Sequence, residues 1–299
     1  MISGLATLGA QRSRAVQDAA DRHVQNAESF PRSRSPATSG AVDERADAAM
    51  RALDRYLETW NSRDAARWAS SLHFPHIRPG PGAFELSATA ADYIKGVNFA
   101  QTLATGWHHS EWVSRQLLHI SDDKAHIAGA WQRYTADDRP LIGSVITYVV
   151  TRQAGRWGVL SRFASGNSGL DAGTSDANAR LARSALGEYF TSWNTHDPAS
   201  FAGVLHYPHV RIDGEGAVEV WASIAECVVG SEPARLRTWF ETRLDEAEVV
   251  QVSASGVNVA VKYSRRDREG RILTQTDAVL LVVKRGELWR VQAVSTMGT

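Results

Sequence analysis

Two stretches of the chain carry apolar residues at the three- and four-residue spacing of an amphipathic helix. Ala49, Leu53, Tyr56, Leu57 and Trp60 share one face of the first, and Leu181, Ala185, Tyr189 and Trp193 share one face of the second. Each ends at an asparagine, Asn61 or Asn194, expected to terminate the helix because Asn tolerates the left-handed cap conformation. Asp64 or Asp197 then suits the start of a short second helix, with Pro198 at its first position. The period next changes to two. HIRPGPGAFEL and HVRIDGEGAVEV read as hairpins with a glycine turn. A third helix is expected around residues 89–104. Its counterpart should be shorter or broken, because Pro233 intervenes. Four strand-like segments close each half. In the second, Val257, Val259, Val261 and Tyr263 alternate with Asn258, Ala260, Lys262 and Ser264. Residues 141–150 and 272–283 are β-branched runs, and GRWGVL and GELWRV turn into a last strand.

The two halves repeat one another. Residues 51–78 and 184–211 are identical at 13 of 28 positions, including Trp60/Trp193, Asn61/Asn194, Asp64/Asp197, Pro75/Pro208, His76/His209 and Arg78/Arg211. Further on, Trp107 matches Trp239, Trp131 matches Tyr263 and Trp157 matches Trp289. A repeat of this length is a duplicated domain, not a solenoid unit. The expected organisation is a weakly ordered N-terminal arm at 1–43, one domain at 44–165, a flexible glycine-containing linker at 166–175 and a second domain at 176–299.

Helices lead and strands follow within each half, which gives an α+β class: a tandem duplication of a cone-shaped domain, its curved antiparallel sheet wrapped around helices. The helix ending in Y-x-x-x-W-N-x-x-D, the hairpin after it and the late G-x-W strand resemble the nuclear transport factor 2-like superfamily, most nearly its SnoaL-like branch. That superfamily holds ketosteroid isomerases, polyketide cyclases, dehydratases, dioxygenase small subunits and transport adaptors, so the fold alone names no activity. The resemblance implies a conical, mostly apolar pocket between sheet and helices. It also implies, for steroid-type isomerases, a carboxylate base on the early hairpin. Residues 73–79 (HFPHIRP) hold none, and Asp213 lies at a turn, which argues against that activity.

Composition narrows the field. Lys+Arg and Asp+Glu balance at 33 each, without the basic excess of a nucleic-acid binder or of a protein drawn to anionic membranes. No apolar run is long enough to span a bilayer, and the first ten residues lack the basic start of a secretory leader. The lone Cys227 rules out an intrachain disulfide and reads as buried and inert. A cytoplasmic protein is the expectation.

The candidate chemistry centres on the retained H-x-R pairs. His76 and Arg78, like His209 and Arg211, should point to one face of a strand, with Ile77 and Val210 on the other. On a concave face, His76 and His209 could act as general acid or base while Arg78 and Arg211 hold a carboxylate or enolate oxygen. On a solvent face, Arg78 would instead pair across the hairpin with Glu85, and Arg211 with Glu219; ordinary strand patterning favours this second facing. Trp60 and Trp193 could form a pocket floor that stacks on a flat ligand, or pack the core. Asp277, within TQTDAVLLVV, shares a face with Leu273, Val279 and Leu281. There a carboxylate would be raised toward acid–base service, and some SnoaL-like cyclases use a late-strand acid in that manner. The alternative is a strand-mouth Asp bonded to a neighbour. His73 and His206 complete an H-x-x-H in each half, but no further ligand set is retained, so neither a metal nor a cofactor is expected. The resulting expectation is a small-molecule-binding protein taking an apolar or aromatic ligand, with no nucleic-acid or membrane partner, folded as a monomeric pseudo-dimer. The alternatives are a SnoaL-like isomerase, cyclase or dehydratase, and a non-catalytic scaffold.

Overall fold

The computed structural model describes residues 39–82, 84–167, 171–230 and 239–298. The first half opens with α1 (Ser39–Asn61) and α2 (Ala65–Ala69), continues through the hairpin β1 (Leu72–Arg78) and β2 (Glu85–Ser87), and then through α3 (Ala90–Gly96) and α4 (Phe99–Leu103). It closes with a meander of β3 (His109–Ile120), β4 (Lys124–Tyr134), β5 (Pro140–Gln153) and β6 (Arg156–Asn167). The second half repeats this as α5 (Ala172–Trp193), α6 (Pro198–Gly203), β7 (Leu205–Ile212), β8 (Val218–Trp221), α7 (Ile224–Gly230), β9 (Glu241–Val252), β10 (Gly256–Arg266), β11 (Ile272–Arg285) and β12 (Leu288–Thr296). Among the described residues no helix is long and apolar enough to cross a membrane.

Each half folds its strands into one six-stranded sheet, ordered β2-β1-β6-β5-β4-β3 and β8-β7-β12-β11-β10-β9. The sheets are mixed, not wholly antiparallel: β1 runs parallel to β6, and β7 parallel to β12. A pattern of period two reports which face a residue takes but not the direction of its neighbour, so this pairing was invisible in the sequence.

Local expectations meet several corrections. The arm expected at 1–43 lies outside the described residues except for 39–43, which already belong to α1. The linker expected at 166–175 is much shorter. Strand pairing carries β6 to Asn167, opposite Ser144. The Asp171 side chain then caps α5 by accepting from the Thr174 amide at 2.9 Å. Of the expected linker, the residues on either side of 168–170 are held by strand pairing and by the helix cap, and 168–170 lie outside the described residues. The third helix divides in two after Gly96, because Asn98 starts a new one by accepting from the Gln101 amide at 3.1 Å. Pro233 lies outside the described residues.

Asn61 and Asn194 are not left-handed caps; the positive φ falls two residues later, at Arg63 and His196. Each asparagine instead clamps its helix to the first meander strand. Asn61 donates to the Ser110 carbonyl oxygen at 2.9 Å and accepts from the Ser110 amide at 2.9 Å. Asn194 does the same with Thr242, both at 2.8 Å. Asp64 and Asp197 cap α2 and α6 as expected.

Apolar residues gather in three cores. One packs α1, α2 and α3 onto the inner face of the first sheet, with Leu53, Trp68, Tyr93, Ile127 and Val150 at its centre. Its counterpart packs α5, α6 and α7 onto the second sheet around Leu186, Phe201, Cys227, Val259 and Leu280. The third core belongs to both halves: Ile77, Val149, Leu160 and Phe163 meet Val210, Val279, Leu281 and Ala293. The outer faces of the two sheets therefore cover each other.

Candidate functional site

In the first half, sheet and helices part to leave a cavity of about 620 Å³, a size typical of small-molecule sites. Helix α1 brings Tyr56, Leu57 and Trp60 to it, α2 brings Trp68 and α3 brings Tyr93. The sheet supplies Arg78, Trp131, Arg133, Ile146, Arg162 and Ala164. Trp60 anchors an aromatic cluster: its ring lies 4.4 Å from Trp68, 5.0 Å from Phe99 and 5.1 Å from Trp107 between centroids. Its indole N–H donates to Ser110 Oγ at 3.3 Å. The tryptophan expected at the pocket floor thus serves wall and core together.

Arg162 is the most demanding group in this cavity. A β-bulge places it there. Val150 pairs with Val159 but Val149 pairs with Ser161, so one extra residue of β6 shifts the alternation. Trp157 and Val159 face the inner core before the bulge, and Arg162 and Ala164 face the cavity after it. Arg162 is only 7% exposed. It donates to the Tyr56 hydroxyl at 2.6 Å and more weakly to the Tyr93 hydroxyl at 3.5 Å, and its Nε–H has no protein acceptor. Its guanidinium lies over the rings of Tyr56 and Trp68, 5.7 and 5.6 Å from their centroids. No carboxylate among the described residues pairs with it.

Arg133 is similar. It lies over Trp60 at 5.1 Å and Trp131 at 5.2 Å, its Nε–H is buried without an acceptor, and it forms no ion pair among those described. The other charges in the wall are answered. Arg78 pairs with Glu85 at 2.6 Å. Asp92 is held by Lys95 at 3.1 Å and by the Thr89 hydroxyl at 2.7 Å. The uncompensated charge is positive, and it is felt: the Arg162 guanidinium, then burial, lowers Arg78 from its ordinary range. Burial raises Tyr93 to about 12, so its hydroxyl remains protonated.

The two histidines of the H-x-R pairs lie elsewhere. His76 is buried beside Tyr93, ring centroids 5.3 Å apart, with Nδ1 3.2 Å from the Val159 carbonyl oxygen. It does not line the cavity. Burial, then the charges of Arg162 and Arg78, holds it well below the usual histidine range, so it is neutral. His209 is equally buried, stacked on Trp221 at 5.5 Å, with Nδ1 3.3 Å from the Val291 carbonyl oxygen, and is lowered to about 3 by burial and then Arg211. The expected solvent-facing strand is thus corrected, since Ile77 enters the core between the sheets while His76 is buried on the other face. The arginines, at the cavity walls, make the expected cross-strand pairs: Arg78 with Glu85, and Arg211 with Glu219 at 3.7 Å. His73 likewise spends its Nδ1 on the Thr151 hydroxyl at 2.8 Å. No group of three or more His, Cys, Asp or Glu among the described residues is placed to hold a metal ion.

Asp277 lines neither cavity. It sits on the outer side of its sheet, at the margin of the core between the halves, directly opposite Lys262 on β10 with the charges 3.9 Å apart. The alternation that put it with Val279 and Leu281 is correct, but that face packs on the other domain rather than on a ligand.

The second half keeps the same wall with little space inside. Tyr189, Phe190, Trp193, Arg211, Tyr263 and Arg265 stand where Tyr56, Leu57, Trp60, Arg78, Trp131 and Arg133 stand in the first, and its described residues enclose about 40 Å³. Val294 occupies the place of Arg162, and Thr296 that of Ala164. Arg162, Arg133 and Tyr93 carry no motif in the sequence, and Tyr56 stands out there only as part of a helix face. Two signals were available, Tyr56/Tyr189 and Arg133/Arg265, each retained in both copies.

Residues 44–166 match the model of a family described as NTF2-like protein (DUF6841). No curated protein matches the chain. Among solved structures it is similar to a protein with a cystatin-like fold from Caulobacter vibrioides, at 21% identity over 40% of this chain and 89% of that one, with a TM-score of 0.33. It is also similar to a ketosteroid isomerase-like protein from Erwinia carotovora atroseptica, at 18% identity over 40% and 93%, TM-score 0.32. A third is an NTF-2 like protein from Shewanella oneidensis, at 16% identity over 40% and 98%, TM-score 0.32.

Proposed function

We propose that this chain, two tandem NTF2-like domains, is a cytoplasmic small-molecule-binding protein whose first domain holds an aromatic or apolar ligand, as a member of the SnoaL-like branch. The observation that carries this reading is the contrast between equivalent spaces among the described residues: about 620 Å³ in the first domain and about 40 Å³ in the second. Two copies of one fold share a scaffold, so a space kept open in one and closed in the other is not demanded by folding. The aromatic lining, with Trp60, Trp68, Trp131 and Tyr93, suits a flat ligand that stacks.

The isomerase, cyclase or dehydratase reading needs a proton-transfer group in reach of that ligand. Neither His76 nor Asp277 lines the cavity, and the carboxylates that do, Glu85 and Asp92, are engaged by Arg78 and by Lys95 and Thr89, which favours binding over catalysis.

A panel of neutral and anionic bicyclic aromatics tests the proposal by thermal shift on the full chain. At least one compound should raise the melting temperature saturably, and Ala164→Trp, which fills the cavity, should abolish the shift. A panel without effect, or one acting equally on Ala164→Trp, overturns the reading.

A further inference from the structure

A buried arginine without an acidic partner is costly, because its charge is taken from water and little is returned. Arg162 is in that state in a domain whose twin folds with valine at the same place. The fold therefore does not require the charge. The hydroxyls of Tyr56 and Tyr93 and the faces of Tyr56 and Trp68 position the guanidinium without neutralising it. Arg133, half-buried on two tryptophan faces of the same wall, adds a second cation lacking an acidic partner among the described residues. Both leave a buried Nε–H without an acceptor. The remaining cavity charges cancel in pairs, Arg78 with Glu85 and Asp92 with Lys95.

We propose that the ligand of the first cavity is an aromatic carboxylate, its carboxylate group held by Arg162 with Arg133 contributing charge, and its ring system against the tryptophans. A guanidinium offers donors in a planar fork that matches a carboxylate. In a space shielded from water such a charge-assisted contact favours an anion over its neutral isostere by about tenfold or more. The second cavity, with Val294 in place of Arg162, has no such selectivity. The inference rests on the binding reading above.

The test compares 2-naphthoate with 2-naphthalenemethanol, a neutral molecule of nearly the same shape, by calorimetric titration of the full chain. The expected result is at least about tenfold tighter binding of the carboxylate, a preference that falls close to one in Arg162→Met and is reduced in Arg133→Met. Circular dichroism establishes that each variant is folded. Equal affinity for both probes in the wild-type protein overturns the carboxylate inference and leaves the cavity reading standing. A preference that persists in both folded arginine variants also overturns the carboxylate inference, because the anion is then held elsewhere, and binding that persists undiminished in Ala164→Trp overturns the cavity reading as well. Should Arg162→Met fail to fold, an unchanged preference in Arg133→Met overturns the inference equally. Absence of binding by both probes overturns the carboxylate inference, and the binding reading then falls only if the wider thermal-shift panel is also without effect.

Discussion

His126 Nε2 lies 2.8 Å from Ser295 Oγ, across the boundary between the two domains. Its Nδ1 is 3.0 Å from Nδ1 of His119. The matching positions in the second copy are Asn258 and Gln251, and they make the same pair with amides. Asn258 donates to the Gln251 Oε1 and to the Phe163 carbonyl oxygen, both at 2.9 Å. The duplication has thus built one interface twice, once with groups that titrate and once with groups that do not.

This difference yields a pH prediction. Burial lowers His119 to about 4, with Asp277 opposing and Lys262 adding to the shift, and holds His126 well below its ordinary range. In the unfolded chain both titrate near 6.5. The unfolded state therefore binds more protons below that pH, so the stability is fully present above about 6.5 and is lost as pH falls toward 4. His73, at about 4, and His209, at about 3, act in the same direction. Urea denaturation should show stability declining between pH 6.5 and 5. Replacing the pair with its twin's residues, His119→Gln with His126→Asn, should flatten that decline. An unchanged slope in the double variant would show that these histidines are not the groups responsible.

Much of the fold was legible because duplication writes each signal twice. The helix faces, the Asp64 and Asp197 caps and the meander follow from local patterns, and the repeat separates pattern from accident. The site was less legible, for a physical reason. Arg162 is displayed by a bulge, and a bulge shifts the alternation of period two on which any facing argument depends. The alternation set His76 opposite Ile77 and Asp277 with Val279 and Leu281, but it favoured solvent over the first and did not say what covers the second. His76 lies beside Tyr93, and the outer face bearing Asp277 packs on the other domain. A single strand states which residues share a side; it does not state what packs there.

Arg162 and Val294 permit a swap that separates stability from binding. Replacing a buried, unpaired charge by an apolar residue of similar volume is often neutral or stabilising. Arg162→Met should change stability by less than about 1 kcal/mol, or raise it, despite the lost bond to Tyr56. Val294→Arg places a charge where only about 40 Å³ is open and should cost roughly 3 kcal/mol or more. Chemical denaturation of both variants checks the pair. A large loss in Arg162→Met would make the residue structural.

The asparagine clamps predict a second matched pair. Asn61 and Asn194 each exchange two hydrogen bonds with one backbone residue, Ser110 or Thr242. Substitution by alanine leaves a backbone donor and acceptor without their partner in a half-buried position. Asn61→Ala and Asn194→Ala should each cost about 1–3 kcal/mol, whereas Arg78→Ala, which removes a half-exposed ion pair, should cost about 0–1 kcal/mol. Equal effects in the three variants would contradict the clamp.

Assembly follows from the shared core. The outer faces of both sheets are already spent on each other, through Ile77, Leu160 and Phe163 against Val210, Val279 and Leu281. We expect sedimentation as a 32.7 kDa monomer. A tight homodimer, or two domains tumbling independently, would overturn this expectation.

The sharpest test of that interface is a single methyl group. Gly256 lies against Ser165 of the other domain, and a Cβ placed on it would come within 2.4 Å of the Ser165 carbonyl oxygen and 2.8 Å of its Cα. Neither atom is the end of a flexible side chain, so the backbone itself must shift where the sheets meet. The equivalent position in the first copy is Lys124, whose ammonium reaches the other way, donating to the carbonyl oxygens of Asp213 at 2.5 Å and Thr296 at 2.9 Å. Symmetry is therefore broken here: one side inserts a long side chain and the other must present none. Gly256→Ala should destabilise by about 1–3 kcal/mol or more through overpacking. Lys124→Ala should cost a comparable amount, because buried carbonyls lose their donor. Gly187→Ala is the control. That glycine lies within α5, nothing stands within 4 Å of its added Cβ, and helix propensity alone should stabilise the variant by about 0.5–1 kcal/mol. Calorimetry reads all three. The wild-type protein should unfold in one transition, because its third core belongs to both domains, and Gly256→Ala should broaden or split it. A Gly256→Ala variant as stable as Gly187→Ala would mean that the two sheets do not meet at this point.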